Sequence, residues 1–384
     1  MVSLRRARRL RLEVLNLSPR ARVLGVTLIA LALGSFIVER ATRLSRHGRP
    51  HPRGVAHPHA HFVERVSADH FQRGNLHTHS VRSDGTATLE AMVGWYREHG
   101  YQFLAMTEHD LRVDPGEVAS LTGPGFVVIA GEEVSDRWES RPLHVNALCA
   151  RQGIDGGVDF GGADVGLGVM FTQIRAAGGT PLVNHPNFHG SLGADDIARG
   201  ASGRYLLEIW SGHPDVAPEG DWSHPSEETL WDEVLARGGD AIPAAVDDAH
   251  ALPDDSGAPR ALPGRGWVET FGDETAPDAI CGALAGGRLY ASNGPVLARI
   301  AVQDDVFTVV VTDPRATVAF LGDRGAVLAE VRAADVPAQG DARALTYRLT
   351  GEEGLVRARV SDAEGRHAWT AAYPVEQSRA GDRF

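Results

Sequence analysis

The stretch NLHTHSVRSDGTATLEAM, residues 75–92, combines metal-binding side chains with the start of a helix. His77 and His79 stand two residues apart on a predicted extended segment, so their side chains leave the same face and can share one metal ion. Asp84 follows in the loop after them. An HxH pair alone is a weak signal, because polar loop histidines often fall at this spacing by chance.

The residues after this loop predict an amphipathic helix. Within TATLEAMVGWYREHG, residues 86–100, the glycine at the end is a stop signal. Its apolar face at helical spacing consists of Leu89, Met92 or Val93, and Tyr96. This face is expected to pack on a core, and no catalytic role is required of it.

From Phe71 onward, short apolar runs alternate with helical stretches, which predicts βα units around a parallel sheet or barrel. Because the C-terminal ends of barrel strands form the active-site face, polar side chains at these ends are expected to converge in one mouth. Five further candidate strands end in or contain such side chains: His109, Glu133, His144, His185, and Asp248 with His250. This recurrence favours a multinuclear metal site over scattered structural histidines.

Composition excludes several functions. The 384 residues include no lysine, so all 38 basic residues are arginine, which excludes a Schiff-base lysine and a P-loop lysine. Residues 1–53 carry a net charge of +10 and the remainder −22, and so acidic a body disfavours binding along duplex nucleic acid. A small anionic substrate, nucleotides included, stays compatible if metal ions supply positive charge. Nothing in the sequence indicates the oligomeric state.

The N-terminal region predicts a membrane signal. Residues 1–22 hold seven arginines, and the uncharged run VLGVTLIALALGSFIV, residues 23–38, suits a short transmembrane signal anchor. We interpret residues 39–70, rich in His, Pro and Arg, as a tether to an extracytoplasmic body, with secretion after signal cleavage as the alternative.

Other regions give weaker signals. The glycine-rich residues 153–168 lack the context of a dinucleotide site and predict a mobile loop or lid. Beyond Pro295, strand-like runs such as VFTVVVTD predict a small β-sandwich over residues 296–376. Cys149 and Cys281 provide neither a disulfide framework nor a CxxC metal site, and they leave the redox compartment open.

Taken in order, the motifs resemble the polymerase and histidinol phosphatase (PHP) superfamily of metallohydrolases over about residues 71–295. They are HTH at 77–79, SDG at 83–85, TEHD at 107–110, GEE at 131–133, the histidine at 144, NHP at 184–186 and DAH at 248–250. GRLYASNGP, residues 287–295, and the C-terminal strands are similar to the carbaryl-hydrolase-like (CehA/McbA) branch. The resemblance implies an α/β fold with a distorted (βα)7 barrel, followed by a small all-β, sandwich-like domain.

The resemblance also implies two or three divalent metal ions, and imidazole with carboxylate donors suits Zn, Mn or Fe. The implied ligands are His77, His79, Glu133 and Asp248 for one ion, Asp84, His109 and His250 for a second, and Glu133, His144 and His185 for a third. The Gly-x-Glu register selects Glu133 over Glu132. Glu108 stands where the family more often has Asp, and it is expected to orient a neighbouring ligand.

These implications predict a metal-dependent hydrolase, most simply a phosphoesterase acting on phosphomonoesters, nucleotides or oligonucleotide ends through a hydroxide that bridges two ions. The candidate catalytic residues are His77, Asp84 and His213, the last as a proton donor to the leaving group. Arginines 112, 137 and 204 are candidates to clamp a phosphate. One alternative is a carbamate or amide hydrolase, because such a site polarises C=O as well as P=O. A second is a non-catalytic metal-binding surface module.

Overall fold

The computed structural model describes residues 60–254 and 260–377, all within the compact unit Arg53–Phe384. These residues form the helices α1 (Leu89–Glu98), α2 (Pro115–Leu121), α3 (Ala163–Ala176), α4 (Ala194–Gly200), α5 (Glu227–Ala236) and α6 (Pro277–Ala285). Strands β1–β11 are Ala60–Phe62, Val66–Ala68, Phe71–Asn75, Phe103–Met106, Val127–Ala130, Glu133–Trp138, Arg141–Leu148, Asp159–Phe160, Thr180–Val183, Arg204–Ser211 and Asp240–Val246. Strands β12–β21 are Trp267–Phe271, Leu289–Ser292, Leu297–Gln303, Val306–Val311, Thr317–Leu321, Val327–Arg332, Arg343–Arg348, Leu355–Ser361, His367–Thr370 and Tyr373–Gln377. The predicted mixed α/β class is confirmed.

The predicted helix after the HxH motif is confirmed as α1. It begins after Thr88, whose hydroxyl accepts a hydrogen bond from the Ala91 N–H at 3.2 Å. Gly100, with φ of 79°, follows its end, in the left-handed conformation that glycine adopts without steric cost. Its buried face is the predicted one, Leu89, Met92, Val93 and Tyr96.

Two groups of strands supply the elements of the candidate site. In the first, β3, β4 and β5 run parallel, and α1 and α2 cover one face of them. In the second, β9, β10 and β11 run parallel, β7 joins antiparallel, and helices α3, α4 and α5 bury apolar side chains against them. Both groups direct the C-terminal ends of their parallel strands toward the same region.

The predicted distorted (βα)7 barrel is not confirmed. The described strands lie in three open sheets of eleven, six and four strands. Where the first group of strands meets the second, pairing is limited to single bridges, Thr78 with Ala249 and His109 with Glu133. These bridges fall among the candidate ligands, where the backbone departs from regular strand geometry. The hydrogen-bonded ladders therefore do not continue from one sheet into the other.

The C-terminal strands extend the eleven-stranded sheet and add the four-stranded one. Strands β19 and β20 continue the eleven-stranded sheet from β13, whereas β14, β15 and β18 form the four-stranded sheet with β2, in the order β18-β15-β14-β2. The two sheets pack through aromatic side chains: the Phe320 ring lies 5.5 Å from that of Phe307 and 5.6 Å from that of Tyr347. Residues 60–68, which fall within the predicted tether, form β1 and β2.

The prediction of a membrane anchor is corrected. No helix within residues 60–254 and 260–377 is long and apolar enough to cross a membrane. The run for which the anchor was predicted, Val23–Val38, lies outside the described residues. The membrane-attached, extracytoplasmic location that depended on the anchor is therefore not retained.

Two further expectations differ from the structure. The predicted lid at residues 153–168 contains β8 and the first turns of α3, because Leu167 and the apolar residues after it in α3 pack into the core. Cys149 and Cys281 form a disulfide with a Cα–Cα distance of 6.0 Å. The fold brings them together across 132 residues of sequence, a separation that carries no local signal.

Candidate metal centre

All nine candidate ligands meet at one place, where strands of the two groups end or begin. The two histidines of the HxH motif follow β3, and His109 follows β4. Glu133 opens β6, His144 lies within β7, His185 follows β9, and Asp248 and His250 follow β11. Backbone hydrogen bonds hold these segments in register, including His79 N–H to Ala249 O at 2.9 Å and Glu133 N–H to Glu108 O at 3.0 Å.

Glu133 is the central carboxylate of the cluster. Its Oε2 lies 2.9 Å from Nε2 of His77 and 3.1 Å from Nε2 of His79. Its Oε1 lies 2.9 Å from Nδ1 of His144 and 3.3 Å from Nε2 of His185. Nδ1 of His109 lies 3.4 Å from Oε2, so one buried carboxylate contacts five imidazoles and can bridge neighbouring cations.

Asp248 provides a second carboxylate on the buried side. Its Oδ1 lies 3.2 Å from Nε2 of His77 and 3.4 Å from Nε2 of His79, and its Oδ2 lies 4.0 Å from Nε2 of His185. Asp248 has φ of 49° and His185 has φ of 22°. Non-glycine residues pay on the order of 1–3 kcal/mol for such conformations, which concentrate at functional sites.

The third carboxylate, Asp84, marks the open side of the centre. Its oxygens lie 3.4 Å from Nε2 of His109 and 3.3 Å from Nε2 of His250. Its side chain is 53% exposed, whereas those of His77 and His79 are fully buried. The centre is therefore open to solvent on the side of Asp84, His109 and His250.

The donor atoms fall into overlapping sets, each compact enough for one ion. The sets are His79, Asp84, His109 and His250; His77, His185 and Asp248; His77, His79 and Glu133; and His109, Glu133 and His144. The first contains the whole implied Asp84 set with His79 added. His185 groups with His77 and Asp248 rather than with His144.

Unsatisfied buried atoms show that the donor set fits metal ions. His79 Nε2, His144 Nδ1 and Asp248 Oδ1 are buried, and although carboxylate or imidazole atoms lie close to them, none of the three makes a hydrogen bond of good geometry. Buried polar atoms are normally paired, so each such atom requires an explanation, and an ion is a standard one. Imidazole and carboxylate donors without thiolate suit Zn, Mn or Fe, and the set supports metal binding without choosing among them.

The electrostatics of the cluster also favour cations. Burial alone would lower the pKa of His77, but the carboxylates of Asp248, Glu133 and Glu208 raise it well above its usual value. Burial would raise the pKa of Glu133, but the imidazoles of His77 and His144 hold it well below its usual range. Without metal, protons on imidazole balance the carboxylates, and a bound metal ion would displace them.

Glu208 is a positioning residue that the sequence did not single out. It is fully buried in β10, beside a break in the β10–β11 register. Its Oε1 lies 2.7 Å from Nδ1 of His77, and its Oε2 accepts the His185 N–H at 2.7 Å. Donation from Nδ1–H leaves the lone pair of His77 Nε2 directed at the centre. In metal sites, a carboxylate behind a metal-binding histidine commonly orients the ring in this way.

Glu108 fixes the loop that carries Asp84. Its carboxylate accepts hydrogen bonds from the Ser80 N–H at 3.0 Å and from the Ser83 hydroxyl at 2.6 Å. The predicted orienting role therefore acts on the loop before Asp84.

Asn184 orients the central carboxylate by donating from Nδ2 to Oε1 of Glu133 at 2.9 Å.

His213 lies next to the ligands. Its ring centroid is 5.3 Å from that of His250, and its Nδ1 accepts the Asp215 N–H at 3.2 Å. Burial lowers the pKa of His213, which favours the neutral ring. Since Nδ1 is an acceptor, the neutral ring carries its proton on Nε2.

The three arginines proposed as phosphate clamps differ in position. Arg204 lies at the start of β10, opposite to the strand end that faces the ligands, and pairs with Asp240 and Glu64. Arg112 follows His109 by three residues and donates from Nε to Ala150 O at 2.8 Å. Arg137 is exposed on β6. Because side chains alternate between the two faces of a strand, it lies on the same face as Glu133.

Comparisons with known proteins give short sequence matches and remote structural ones. No family model matches the chain. A stretch of 76 residues is 34% identical to a 5'-3' exoribonuclease of Haemophilus influenzae, and one of 77 residues is 36% identical to the 5'-3' exoribonuclease Rnm of Escherichia coli. Each match covers 19% of this chain, and they cover 27% and 26% of the relatives. The chain thus spans about a quarter of the length of the curated relatives it matches.

Among solved structures, the chain is similar to a two-domain protein of Bacteroides vulgatus described as containing a predicted PHP-like metal-dependent phosphoesterase. The identity is 14%, the TM-score is 0.41, and 85% of this chain and 92% of that one are covered. It is also similar to an amidohydrolase of Chromobacterium violaceum, at 19% identity and a TM-score of 0.36, over 50% of this chain and 92% of that one.

Proposed function

We propose that this chain is a metal-dependent hydrolase of the PHP type. The observation that carries the proposal is the convergence of six histidines and three carboxylates on one centre, with three buried donor atoms unpaired. A structural metal site is normally closed, whereas this centre has an open side at Asp84. That combination supports a catalytic role over the non-catalytic metal-binding module.

We propose phosphoric esters as the substrate class, with phosphomonoesters, nucleotides and oligonucleotide ends as candidates. The ordered motifs resemble phosphoesterases, and the two curated relatives are named as 5'-3' exoribonucleases, which cleave the same type of bond. Because Arg204 lies at the opposite end of β10 and pairs with Asp240 and Glu64, Arg112 and Arg137 are the clamp candidates that remain. Both are arginines, whose planar guanidinium matches phosphate oxygens.

Divalent ions held by the nine ligands would polarise the ester and lower the pKa of a bound water. The chain supplies the geometry. Glu133 and Asp248 both lie against Nε2 of His77, and Glu208 fixes the tautomer of that ring. His213, with its proton on Nε2, would donate a hydrogen bond to the leaving oxygen and so stabilise the negative charge that develops there. Asp84 is the carboxylate nearest to the incoming substrate.

The decisive experiment measures phosphate release by the full chain loaded with manganese, zinc or iron. Nucleotides and simple phosphomonoesters are the substrates, with aryl carbamates assayed in parallel. His77→Ala and Asp248→Asn are expected to lose activity by at least about 100-fold while the circular dichroism spectrum is unchanged, because the apolar strands rather than the ligands form the core. Full turnover in either variant would refute the site assignment.

The same assay separates the alternatives. Carbamate cleavage without phosphate release would favour the carbamate or amide hydrolase of the CehA/McbA type, since a centre that polarises P=O also polarises C=O. Stoichiometric metal binding with no turnover of either substrate class would favour the binding module.

A further inference from the structure

Phe188 lies beside the centre, in a short turn three residues after His185. The centroid of its ring is 5.1 Å from that of His185 and 6.1 Å from that of His213. The His213 ring is in turn 5.3 Å from that of His250. Phe188 and His213, both partly exposed, thus form an aromatic wall along one side of the centre.

The turn that carries Phe188 is held in place from several sides. His185 and His189, which flank the ring, have φ of 22° and 53°, conformations that persist only where the surroundings impose them. The buried Asn187 donates from Nδ2 to Ala217 O and to Pro225 O, each at 2.9 Å. The ring of Phe188 is therefore positioned by a neighbouring loop as well as by its own turn.

The ring is not required to orient the adjacent ligand. Glu208 accepts the His185 N–H at 2.7 Å, and Glu133 Oε1 lies 3.3 Å from Nε2 of His185. Polar partners thus fix His185 at both its backbone and its ring. A partly exposed phenyl ring in a polar centre is then free to contact a molecule that enters it.

We propose that the aromatic wall binds a planar aromatic group of the substrate, next to the bond that is cleaved. The inference rests on the proposed function and adds the substrate class. Stacking of a base on an aromatic side chain contributes about 1–3 kcal/mol and tolerates many ring types. The scissile group would lie at the open side, near His250, and the attached ring would lie on Phe188.

The first test measures binding by calorimetry, independently of turnover. The probes are the phosphonate analogues of adenosine 5'-monophosphate and of ribose 5-phosphate, titrated into the manganese-loaded full chain. Phe188→Ala and Phe188→Leu are expected to weaken binding of the adenosine analogue at least about fivefold and to leave the ribose analogue within about twofold. Phe188→Trp should retain the preference.

A matched control is Phe271→Ala, which removes another partly exposed phenylalanine with an aromatic neighbour, Phe71, at 5.6 Å. It is expected to leave both affinities unchanged. Equal weakening of both analogues in Phe188→Leu, or an unchanged preference for the adenosine analogue, would overturn the inference.

Turnover separates the sources of the aromatic ring. A lower KM for adenosine 5'-monophosphate than for ribose 5-phosphate, with no such gain for phenyl phosphate over ethyl phosphate, would identify a nucleobase, and a gain for both would identify any aryl group. Each result supports the inference if Phe188→Leu abolishes it. Preferential binding of the adenosine analogue without phosphate release from any ester would leave the aromatic wall in place and refute the phosphoesterase.

Discussion

At the scale of single residues, Glu208 controls how His77 presents its ring to the centre. The Nδ1–H donation at 2.7 Å selects the tautomer whose Nε2 can bind metal. In Glu208→Gln the amide can face His77 with its NH₂ group and favour the opposite tautomer. We expect manganese or zinc affinity, measured by equilibrium dialysis with metal analysis, to fall about 10- to 100-fold.

Glu269→Gln is the matched control for that change, because Glu269 is also a buried glutamate but pairs with Arg73 in the β3–β12 region. Its metal affinity should equal that of the wild type. Unchanged affinity in Glu208→Gln, or an equal loss in both variants, would exclude the positioning role.

His213 is the candidate residue that would act on the leaving group. If its Nε2–H donates a hydrogen bond to the leaving oxygen, His213→Ala should reduce kcat by about 10²–10³-fold for alkyl phosphates, whose leaving oxygens develop the most negative charge. The loss should be much smaller for p-nitrophenyl phosphate, whose leaving group departs unprotonated. A uniform loss across leaving groups would argue for a role in binding or structure instead.

At the scale of elements, α5 begins with a buried glutamate, Glu227, and a partly buried one, Glu228, whose pKa values shift in opposite directions. Burial, with the Glu208 charge adding to it, raises the pKa of Glu227 to about 8. For Glu228, burial acts in the same direction, but Arg357 and Arg359 lower its pKa to about 2. Protonation of Glu227 therefore favours the folded chain, whereas protonation of Glu228 disfavours it.

The pH dependence follows from these shifts. Between the unfolded pKa of about 4.5 and the folded pKa of about 8, only the folded chain keeps the Glu227 proton, so this group makes stability fall as pH rises. Glu227→Gln should match the wild type near pH 4.5 and exceed it by about 1–3 kcal/mol near pH 8, measured by urea denaturation. Glu228→Gln should instead be less stable at pH 7, with the deficit shrinking as pH falls toward 2.

The elements also show how far the sequence predicts this molecule. The apolar period predicted α1 with its buried face, and the strand-end histidines indicated which side chains would meet. Glu208 gave no signal, because its role depends on pairing between β9, β10 and the HxH segment. The open sheets were equally hidden, since single bridges at Thr78 and His109 replace ladders that apolar runs alone would suggest.

At the scale of the whole molecule, the metal centre joins the ends of strands from two sheets. Without a cation, protons on the imidazoles balance the charge of the carboxylates, and a bound cation would take the place of those protons. Metal should therefore stabilise the folded chain by mass action, by about 2.7 kcal/mol at 100 times Kd. We expect EDTA to lower Tm and manganese or zinc to restore it, and an unchanged Tm would contradict metal binding at the centre.

His77→Ala is the control for that measurement, because it removes a donor from two of the ligand sets. Its Tm should respond much less to added metal than that of the wild type. An equal response would place the stabilising ions elsewhere in the chain.

The disulfide is the other connection at this scale. Cys149 directly follows β7, the strand that carries His144, and Cys281 lies in α6, so the bond joins the end of β7 to that helix. Closing so long a loop restricts the unfolded chain, and loss of such a bond costs about 2–4 kcal/mol. The Cys149→Ala, Cys281→Ala double variant should therefore unfold at lower urea concentration than the wild type.

Reduction tests the same bond without substitution. Dithiothreitol should lower the urea midpoint of the wild type to about that of the double variant and leave the double variant unchanged. If the wild type showed no response although thiol titration found two free cysteines, the bond would not contribute to stability. The expected response would mean that the fold reaches its full stability only when the disulfide is formed.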